Sequence, residues 1–466
     1  MDDTLTIDIP FEAPPVLPAV WGLAVAWCLD EPERVGQVLA LDGGRATLGR
    51  GPGKGEPRVL PVRLRPGHSE LLLPLTSRRL SRRQLELEDA GDELVVRNVG
   101  KTPLQVGGRT VREARLREGS VLMVQQALVA VVVRRALEPA PLPGDPALHA
   151  FGAPDADGVV GESAATWALR RDLAFVAARP GHVLLLGPSG AGKELAARGL
   201  HRRGASGGPW VARNAATIPE SLADAELFGN LANYPNPGMP ARPGLVGEAS
   251  GGTLLLDEVG ELPEAVQARL LRLLDDGEYQ RLGEARTRQT SARVLGATHR
   301  APDALKHDLV ARFRHQVQVP GLDARPDDVP LLVNHLLREA RADDPSLQRF
   351  FDGDTPRLTA RFVVALLETA FTTHVRQLDG LLWAAIRDAT GDYLDLPEGV
   401  RSTPSQATAR PSPPAVDPAS LSVAQIEAAL AACDGVVSQA YRRLGLNSRD
   451  QLRRLMKKHG VTRSTS

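Results

Sequence analysis

The sequence is poor in aromatic residues, in cysteine and in net charge. Phe, Trp and Tyr make up 4% of its 466 residues, which argues against a single-strand nucleic-acid binder that stacks bases on aromatic side chains. Its two cysteines, Cys28 and Cys433, lie near opposite ends, so we expect a reducing compartment and neither a disulfide framework nor a cysteine-based metal site. Lys and Arg total 56, as do Asp and Glu. This balance excludes a uniformly basic nucleic-acid coat and a highly charged disordered protein.

Long apolar runs and a basic leader are also absent. The apolar stretch 16–28 is too short to span a membrane and contains Pro18 and Gly22, so it predicts a buried strand instead. The acidic start, Met-Asp-Asp-Thr, lacks the basic region of a secretory signal. We therefore expect a cytoplasmic protein without a membrane partner.

Two proline-rich stretches, 138–158 and 398–420, divide the chain into three segments and are typical of linkers. Segment 1–137 has short Val- and Leu-rich runs separated by glycines, which predicts a small β-sandwich. The middle segment alternates apolar strands with helical patterns, which predicts a parallel sheet flanked by helices. Segment 421–466 is short and predicted to be helical.

A short apolar run at 182–186 predicts a buried strand that leads into a phosphate-binding loop. The loop comprises Gly187, Pro188, Ser189, Gly190, Ala191, Gly192 and Lys193. Small residues let backbone N–H groups wrap phosphates, the predicted helix 194–200 adds partial positive charge at its N-terminus, and Lys193 reaches the β- and γ-phosphates. An ordinary glycine-rich turn before a helix is the alternative.

A second buried strand is predicted over 251–256, and it ends in the acidic pair Asp257 and Glu258. Downstream of a phosphate loop, such a pair suits two tasks: Asp257 holds Mg²⁺ and Glu258 polarises the attacking water. Without the loop, the same pair would be interpreted as a solvated turn.

With these motifs in place, the middle segment resembles the AAA+ ATPase domain of bacterial enhancer-binding proteins, the activators that work with sigma-54 RNA polymerase. The matching strings lie at 160–163, 193–198, 225–229, 251–263 and 267–274. The resemblance implies an α/β ATPase subdomain at 159–322, a helical lid at 323–397, and ATP and Mg²⁺ as ligands. A glutamate normally follows the loop lysine in that family, so Glu194 joins the nucleotide-binding residues.

The resemblance also implies roles for residues near the nucleotide. Asn214 matches the asparagine that switches the catalytic glutamate. Thr298 lies in the sensor I string 297–300, in which His299 replaces the usual asparagine. Arg376 matches the sensor II arginine. These side chains are expected to meet the nucleotide that the phosphate loop binds.

Two basic residues are implied to act on a neighbouring subunit. Arg312 matches one of two arginine fingers, and Lys306 stands at the position of the other. A finger supplied in trans stabilises charge on the transferred phosphoryl group, so hydrolysis implies a homo-oligomer, a hexamer formed directly or from dimers. Because lysine lacks the guanidinium fork, Lys306 is expected to make the weaker contact.

One loop departs from the family pattern. After Phe228 and Gly229 the family carries a Gly-Ala-Phe-Thr-Gly-Ala loop that engages sigma-54, whereas 230–240 here reads Asn-Leu-Ala-Asn-Tyr-Pro-Asn-Pro-Gly-Met-Pro. The three prolines predict a stiff loop of different shape. A regulator that engages sigma-54 RNA polymerase and one that does not are therefore alternatives.

The first segment resembles a forkhead-associated (FHA) domain, a β-sandwich whose loops bind phosphothreonine, in the strings 46–50, 80–85 and 98–102. The resemblance implies a phosphothreonine-containing protein or a Ser/Thr kinase as partner. Its phosphopeptide-binding residues are expected to be Arg50, Ser81, Arg82, Lys101 and Thr102, whose donors suit a dianion. Gln84 replaces the family's histidine. A solvated basic loop formed by Arg78, Arg79, Arg82 and Arg83 is the alternative.

The last segment predicts three helices: one at 423–433, one at 437–444 and, after a turn at 445–447, a third that is capped by Ser448. This plan resembles the Fis-type helix-turn-helix, which implies double-stranded DNA as a partner. The residues expected to contact DNA are Ser448, Arg449, Gln451, Arg453, Arg454 and Lys457. A helical dimerisation hairpin is the alternative.

Three functions fit these segments. The first is an ATP-dependent transcription regulator with a phosphothreonine sensor and a DNA-binding tail. The second keeps the ATPase and the DNA binding without sigma-54. The third is a DNA-binding protein in which the nucleotide only promotes oligomerisation and is not hydrolysed.

Overall fold

The computed structural model describes residues 19–51, 55–139, 141, 149–204, 207–234, 236–397 and Met456. The chain divides into two compact units, 1–404 and 405–466. The segment 398–420 and the predicted DNA-binding residues lie outside the described residues, namely Ser448, Arg449, Gln451, Arg453, Arg454 and Lys457. In the described ranges, every helix is too short or too polar to cross a membrane.

Two antiparallel sheets form a sandwich at the N-terminus, which confirms that the first segment is rich in β-structure. Its strands are β1 (Ala19–Cys28), β2 (Val38–Ala40), β3 (Arg45–Leu48), β4 (Leu60–Arg63), β5 (Glu70–Leu71), β6 (Leu85–Asp89), β7 (Leu94–Asn98), β8 (Leu104–Val106), β9 (Arg109–Val111), β10 (Glu113–Leu116), β11 (Val121–Val124) and β12 (Leu128–Ala136). The large sheet has the order β5-β4-β2-β1-β12-β11-β8-β9, and the small sheet has the order β10-β7-β6-β3.

From Leu128 to Val133, strand β12 is apolar without interruption because both of its faces are buried there. Ala130 and Val132 belong to the core between the two sheets. Val129, Val131 and Val133 belong to a different core, which includes helices later in the chain. A sheet with one face in water would alternate apolar and polar residues instead.

The middle segment contains the predicted parallel sheet flanked by helices. Its elements are α1 (Ala164–Ala177), β13 (Val183–Leu186), α2 (Lys193–Arg203), β14 (Trp210–Asn214), α3 (Ala223–Phe228), α4 (Gly244–Glu248), β15 (Thr253–Asp257), α5 (Glu264–Asp276), β16 (Glu278–Tyr279), β17 (Arg288–Gln289), β18 (Arg293–Thr298), α6 (His307–Arg312) and β19 (His315–Gln318). The five-stranded sheet has the order β14-β15-β18-β13-β19 and is parallel throughout. The phosphate loop and the acidic pair both follow strands of this sheet, so they lie at the same edge.

A helical lid follows the sheet. It contains α7 (Val329–Asp343), the short hairpin β20 (Phe351–Asp352) and β21 (Thr355–Pro356), α8 (Ala360–Glu368) and α9 (His374–Asp388). Helix α8 begins where the Thr359 hydroxyl accepts a hydrogen bond from the backbone N–H of Phe362 at 3.1 Å. Such caps satisfy N–H groups that the first helical turn leaves unpaired.

The sandwich and the lid share an apolar core. Val131 and Val133 of the large sheet pack in the same cluster as Leu331 of α7 and Phe362 of α8. Nearby, Trp27 Nε1 donates a hydrogen bond to the backbone oxygen of Leu358 at 3.0 Å. Burial of this apolar surface holds the two parts together.

The described end of the predicted linker, 149–158, also packs against its neighbours. Asp155 pairs with Arg170 of α1 at 2.8 Å, and Asp157 is only 3% exposed. Arg65 of the sandwich donates to the backbone oxygen of His149 at 2.6 Å. Buried charges need such partners, and these contacts give this stretch a defined place against the ATPase.

Candidate active site

The loop between β13 and α2 depends on glycines with backbone conformations that other residues rarely adopt. Gly190 has φ +76°, and a Cβ added there would overlap the backbone oxygen of Thr373 in the lid. A Cβ added at Gly187 would likewise overlap the backbone oxygen of Val319. The Gly187 N–H donates a hydrogen bond to the backbone oxygen of Thr298 at 3.2 Å. The loop is therefore held between the sheet and the lid.

Lys193 is the first residue of α2 and is 7% exposed. Its ammonium group donates hydrogen bonds to the backbone oxygens of Gly187 at 2.9 Å and Pro188 at 3.2 Å. Burial lowers the pKa of Lys193, and the charges of Glu258 and Asp257 counteract that effect. The ammonium thus lies within the loop, in the field of the acidic pair.

The acidic pair lies at the end of β15. Burial raises the pKa of Asp257, and the charge of Glu258 adds to the increase, while Lys193 opposes it. Glu258 adopts φ +53° and ψ +47°, which is strained for a residue with a side chain. Its Oε2 lies 2.7 Å from Nδ1 of His299.

Asn214 contacts the other member of the pair. Its Nδ2 donates to Asp257 Oδ2 at 3.4 Å, and its Oδ1 accepts from the Ala216 N–H at 2.9 Å. The parallel register places Asn214 directly opposite Asp257. In this structure the side-chain amide of Asn214 is thus hydrogen-bonded to Asp257 and not to Glu258, and the switching role of Asn214 stays a prediction.

The lid contributes the predicted sensor II arginine. The N–H of Val375 donates to the backbone oxygen of Gly190 at 3.1 Å, which joins the start of α9 to the phosphate loop. Arg376 follows directly, and its positive charge acts to lower the pKa of Lys193. The predicted sensor II position and the phosphate loop thus meet at one site.

A cavity of about 910 Å³ lies between the loop, the sheet edge and the lid. Of the predicted nucleotide-binding and catalytic residues, it is lined by Ser189, Gly190, Ala191, Gly192, Lys193, Glu194, Asp257, Glu258 and Arg376. Thr298 is fully buried beside it, where its hydroxyl accepts a hydrogen bond from the Arg300 N–H at 3.1 Å. Most of the predicted site is therefore assembled around one space.

Sequence reasoning missed a buried charged network that joins α1 to the start of the lid. Asp328 is 1% exposed and accepts hydrogen bonds from the hydroxyls of Ser163 and Thr166, each at 2.6 Å. Arg325 is 4% exposed, lines the cavity and donates to the backbone oxygen of Ala191 at 3.4 Å. The dense run of charges at 323–328 was a possible signal, although charge runs usually indicate a solvated surface.

The two predicted finger residues lie outside the cavity of their own chain. Arg312 is 49% exposed and pairs with Asp275 at 3.1 Å. Lys306 is 48% exposed and pairs with Glu264 at 3.0 Å. Both side chains therefore face the surface of the subunit.

The loop that replaces the sigma-54-engaging motif is closed on itself. Asn230 is fully buried, and its Nδ2 donates to the backbone oxygens of Leu231, Tyr234 and Pro240 at 2.8, 3.2 and 3.0 Å. Its backbone also exchanges hydrogen bonds with Arg242. One amide side chain thus ties both ends of the loop together.

The predicted phosphopeptide residues meet at one end of the sandwich. The Arg50 N–H donates to the backbone oxygen of Ser81 at 3.1 Å, and the Lys101 N–H donates to the Ser81 hydroxyl at 3.0 Å. Arg82 is exposed beside them. The Thr102 hydroxyl donates to the backbone oxygen of Arg79 at 2.6 Å, so its proton is already engaged.

Gln84 fills the position at which the FHA family has histidine. It is fully buried; its Oε1 accepts from the Ser81 N–H at 3.0 Å, and its Nε2 donates to Asn98 and to the backbone oxygen of Thr102, both at 2.8 Å. Gln84 therefore joins the loop that contains Ser81 to the loop that contains Thr102. Arg50 Nε is buried without a hydrogen-bond partner in the described part of the chain.

The central segment matches the model of the sigma-54 interaction domain over residues 159–317. NorR1 of Cupriavidus necator, a nitric oxide reductase transcription regulator, is 36% identical over 347 residues, which cover 66% of each chain. The transcriptional regulatory protein ZraR of Salmonella typhimurium is 33% identical over 312 residues, which cover 64% of this chain and 68% of ZraR. The chain thus spans about two thirds of the length of these relatives.

A crystal structure of NtrX from Brucella abortus in complex with ADP is similar with a TM-score of 0.46 and 28% identity, covering 66% of this chain and 70% of NtrX. The family match coincides with the sheet, the phosphate loop and the acidic pair described above. The chain belongs to the family of transcription regulators that carry a sigma-54 interaction domain, which is an AAA+ ATPase domain.

Proposed function

We propose that this chain is a transcription regulator that hydrolyses ATP in a homo-oligomeric ring, a hexamer, to remodel a transcription complex. The observation that carries the proposal is the convergence of Lys193, Asp257, Glu258 and Arg376 on one cavity. These groups come from the phosphate loop, the sheet edge and the lid, and together they suit the binding and transfer of a phosphoryl group.

In this proposal Lys193 binds the β- and γ-phosphates, and Glu258 orients the attacking water. Asp257 would hold Mg²⁺, which would neutralise charge on the phosphates. No cluster of three or more candidate metal ligands occurs in the described residues. A single carboxylate fits Mg²⁺ nonetheless, because this ion usually takes one or two carboxylates and completes its shell with phosphates and water.

A ring is proposed because neither finger residue lines the cavity of its own subunit. Arg312 and Lys306 are half exposed and therefore available to a neighbouring subunit. A finger in trans makes hydrolysis depend on assembly.

Hydrolysis is tested by comparing ATP binding and turnover in the full chain with those of two variants. We expect Lys193→Ala to lose binding and turnover, and Glu258→Gln to bind ATP without hydrolysing it. A wild-type protein that binds ATP, assembles and shows no turnover would instead favour the regulator in which the nucleotide only promotes oligomerisation.

The trans arrangement is tested by mixing two inactive variants. Arg312→Ala keeps Glu258, and Glu258→Gln keeps Arg312, so a mixed ring contains some complete sites. We expect mixing to restore part of the activity and Arg314→Ala, which alters another exposed arginine, to remain active. Two variants that stay inactive when mixed would contradict action in trans.

The closed loop at 230–242 favours the alternative that the regulator does not engage sigma-54. Its buried Asn230 ties the loop to itself, and the sequence carries no Gly-Ala-Phe-Thr-Gly-Ala motif. Reconstituted transcription with sigma-54 and sigma-70 polymerases, with and without ATP, decides between the alternatives. Activation that requires sigma-54 would overturn the alternative in which the regulator does not engage sigma-54.

We further propose that the sandwich is an FHA domain and binds a phosphothreonine-containing protein. Arg50, Ser81, Arg82 and Lys101 form its candidate site, and the buried Arg50 Nε without a partner in the described residues supports an anionic ligand. We expect a phosphothreonine peptide to bind the wild type and not Arg50→Ala, with Arg109→Ala as an exposed control. Equal binding of the unphosphorylated peptide would refute the proposal.

Binding of double-stranded DNA is proposed from the sequence of the last segment. Arg449→Ala and Arg453→Ala are expected to weaken binding to a target site at fixed salt, because recognition-helix arginines read base edges. Unchanged affinity in both variants would reject the proposed recognition helix.

A further inference from the structure

The carboxylate of Glu258 and the side chain of Asn214 do not meet in this site, although the family pattern pairs them. Asn214 is opposite Asp257 in the parallel register, and the two side chains are hydrogen-bonded. In the described part of the chain, Glu258 takes its carboxylate hydrogen bonds from His299, through Nδ1 at 2.7 Å and the backbone N–H at 3.4 Å.

We propose that His299 is the positioning residue of Glu258 and that Asn214 instead positions Asp257. This inference rests on the proposed hydrolysis of ATP and extends it to a residue at which the chain departs from its family. The two roles are divided between strands on opposite sides of β15, since β14 carries Asn214 and β18 leads into His299.

The hydrogen bond between His299 and Glu258 determines which of their polar atoms are already engaged. An ionised carboxylate only accepts hydrogen bonds, so the bonded Nδ1 of His299 must carry the proton. That bond engages Oε2 of Glu258 and leaves Oε1, which accepts no hydrogen bond from the described residues, to orient water. Glu258 lines the cavity, whereas the side chain of His299 is 50% exposed and does not line it.

The backbone of Glu258 explains why a positioning residue is needed. Its left-handed conformation is one that non-glycine residues maintain only when surrounding contacts enforce it. The residue before His299, Thr298, accepts the hydrogen bond from Gly187 of the phosphate loop. His299 therefore connects the strained glutamate to the strand that supports the loop.

The inference predicts a defect in turnover without a defect in binding. In the full chain, we expect His299→Ala to lower kcat about tenfold, as loss of one hydrogen bond to a charged group would. The KM for ATP and the affinity for a fluorescent ATP analogue should stay within about twofold, because the phosphate loop and Arg376 are intact.

A conservative variant separates positioning from general structure. In His299→Asn the amide Nδ2 is as many bonds from Cα as the imidazole Nδ1, so it offers the same donor at the same place. We expect this variant to recover most of the lost kcat.

Two controls complete the experiment. His315→Ala changes a histidine at the start of β19, the strand beyond β13 and at the opposite end of the sheet from His299, and should leave kcat unchanged. Asn214→Ala should raise the Mg²⁺ concentration needed for half-maximal activity, an effect that His299→Ala should not show.

Three results would overturn the inference. They are an unchanged kcat in His299→Ala, an Asn variant no better than the Ala variant, and a raised Mg²⁺ requirement in His299→Ala. Each presupposes an active wild type. A wild type that binds ATP without hydrolysing it refutes the proposed function, and the role of His299 with it.

Discussion

Arg135, near the end of strand β12, forms an ion pair with Asp327, which lies just before helix α7 at the start of the lid. The side chains are 13% and 11% exposed. Burial raises the pKa of Asp327, and the charge of Arg135 counteracts that effect. Because removing one partner leaves a buried charge, we expect Arg135→Met to lower the free energy of unfolding of the full chain by about 3 kcal/mol in a denaturant titration.

A control and a double variant test the cause of that loss. Arg115→Met alters an arginine that is 65% exposed and should change stability by no more than about 0.5 kcal/mol. Arg135→Met combined with Asp327→Leu should recover most of the stability, since well-packed apolar residues often replace a buried pair without cost. A double variant as unstable as the single one would contradict the proposed role of the pair.

The buried amide of Asn230 predicts the behaviour of its loop. Asn230→Ala removes the donor shared by three backbone oxygens, so residues 231–241 should exchange amide hydrogens faster and be cleaved sooner by protease. Affinity for ATP should not change, because no described residue of the loop lines the cavity. Asn236→Ala, at an exposed position of the same loop, is the control. Equal protection of the loop from hydrogen exchange and protease in the two variants would argue that Asn230 does not hold the loop closed.

His374 gives the stability of the chain a defined pH dependence. Its Nδ1 accepts a hydrogen bond from the Leu322 N–H at 3.0 Å. Burial lowers the pKa of His374 below its ordinary value of 6.5; Asp323 opposes this effect, and Arg325 and Lys193 add to it. Below pH 6.5 the unfolded chain therefore gains a proton that the folded chain resists, and stability is lost as the pH falls.

His374→Gln should reduce this loss. The Gln amide oxygen can still accept a hydrogen bond but does not titrate. We expect a shallower decline in the free energy of unfolding between pH 7 and about pH 5 than in the wild type. His307→Gln, at an exposed position, should follow the wild type. If the free energy of unfolding falls equally steeply with pH in the wild type and in His374→Gln, this histidine is not the source of the pH dependence.

Gly190 is expected to be indispensable to the junction of loop and lid. A Cβ there would overlap the Thr373 carbonyl oxygen, and the residue has φ +76°, so Gly190→Ala should separate the two and weaken ATP binding at least tenfold. Gly380→Ala places a methyl group in open space on α9 and should be neutral or stabilise by up to about 1 kcal/mol. Titration with a fluorescent ATP analogue measures the difference. Equal affinity of Gly190→Ala and the wild type would contradict the tight junction.

The parts of the site that sequence reasoning predicted are those determined by a local strand, loop and helix. The phosphate loop and the acidic pair each follow directly from an apolar run, and parallel strands bring their ends to one edge. The partner of Glu258 was not predicted because it depends on sheet register, which sets Asn214 opposite Asp257.

The docking of the sandwich on the lid was also not predicted. One of the Val- and Leu-rich runs of the first segment, Ala127–Val133, predicts a strand, and its lack of alternation also indicates burial on both faces. Only the structure identifies what covers the second face, because Val131 and Leu331 are two hundred residues apart in sequence.

The core shared by the sandwich and the lid has a thermodynamic consequence. A sensor on a flexible tether can bind its ligand while the enzyme moves independently. Here the sheet packs on α7 and α8, in the same lid whose helix α9 carries the predicted sensor II arginine. If lid movement changes the affinity for a phosphopeptide, linkage requires that the phosphopeptide change the affinity for the nucleotide by the same factor. The nucleotide bound to the ATPase would then control ligand binding by the sandwich as strongly as that ligand controls the ATPase.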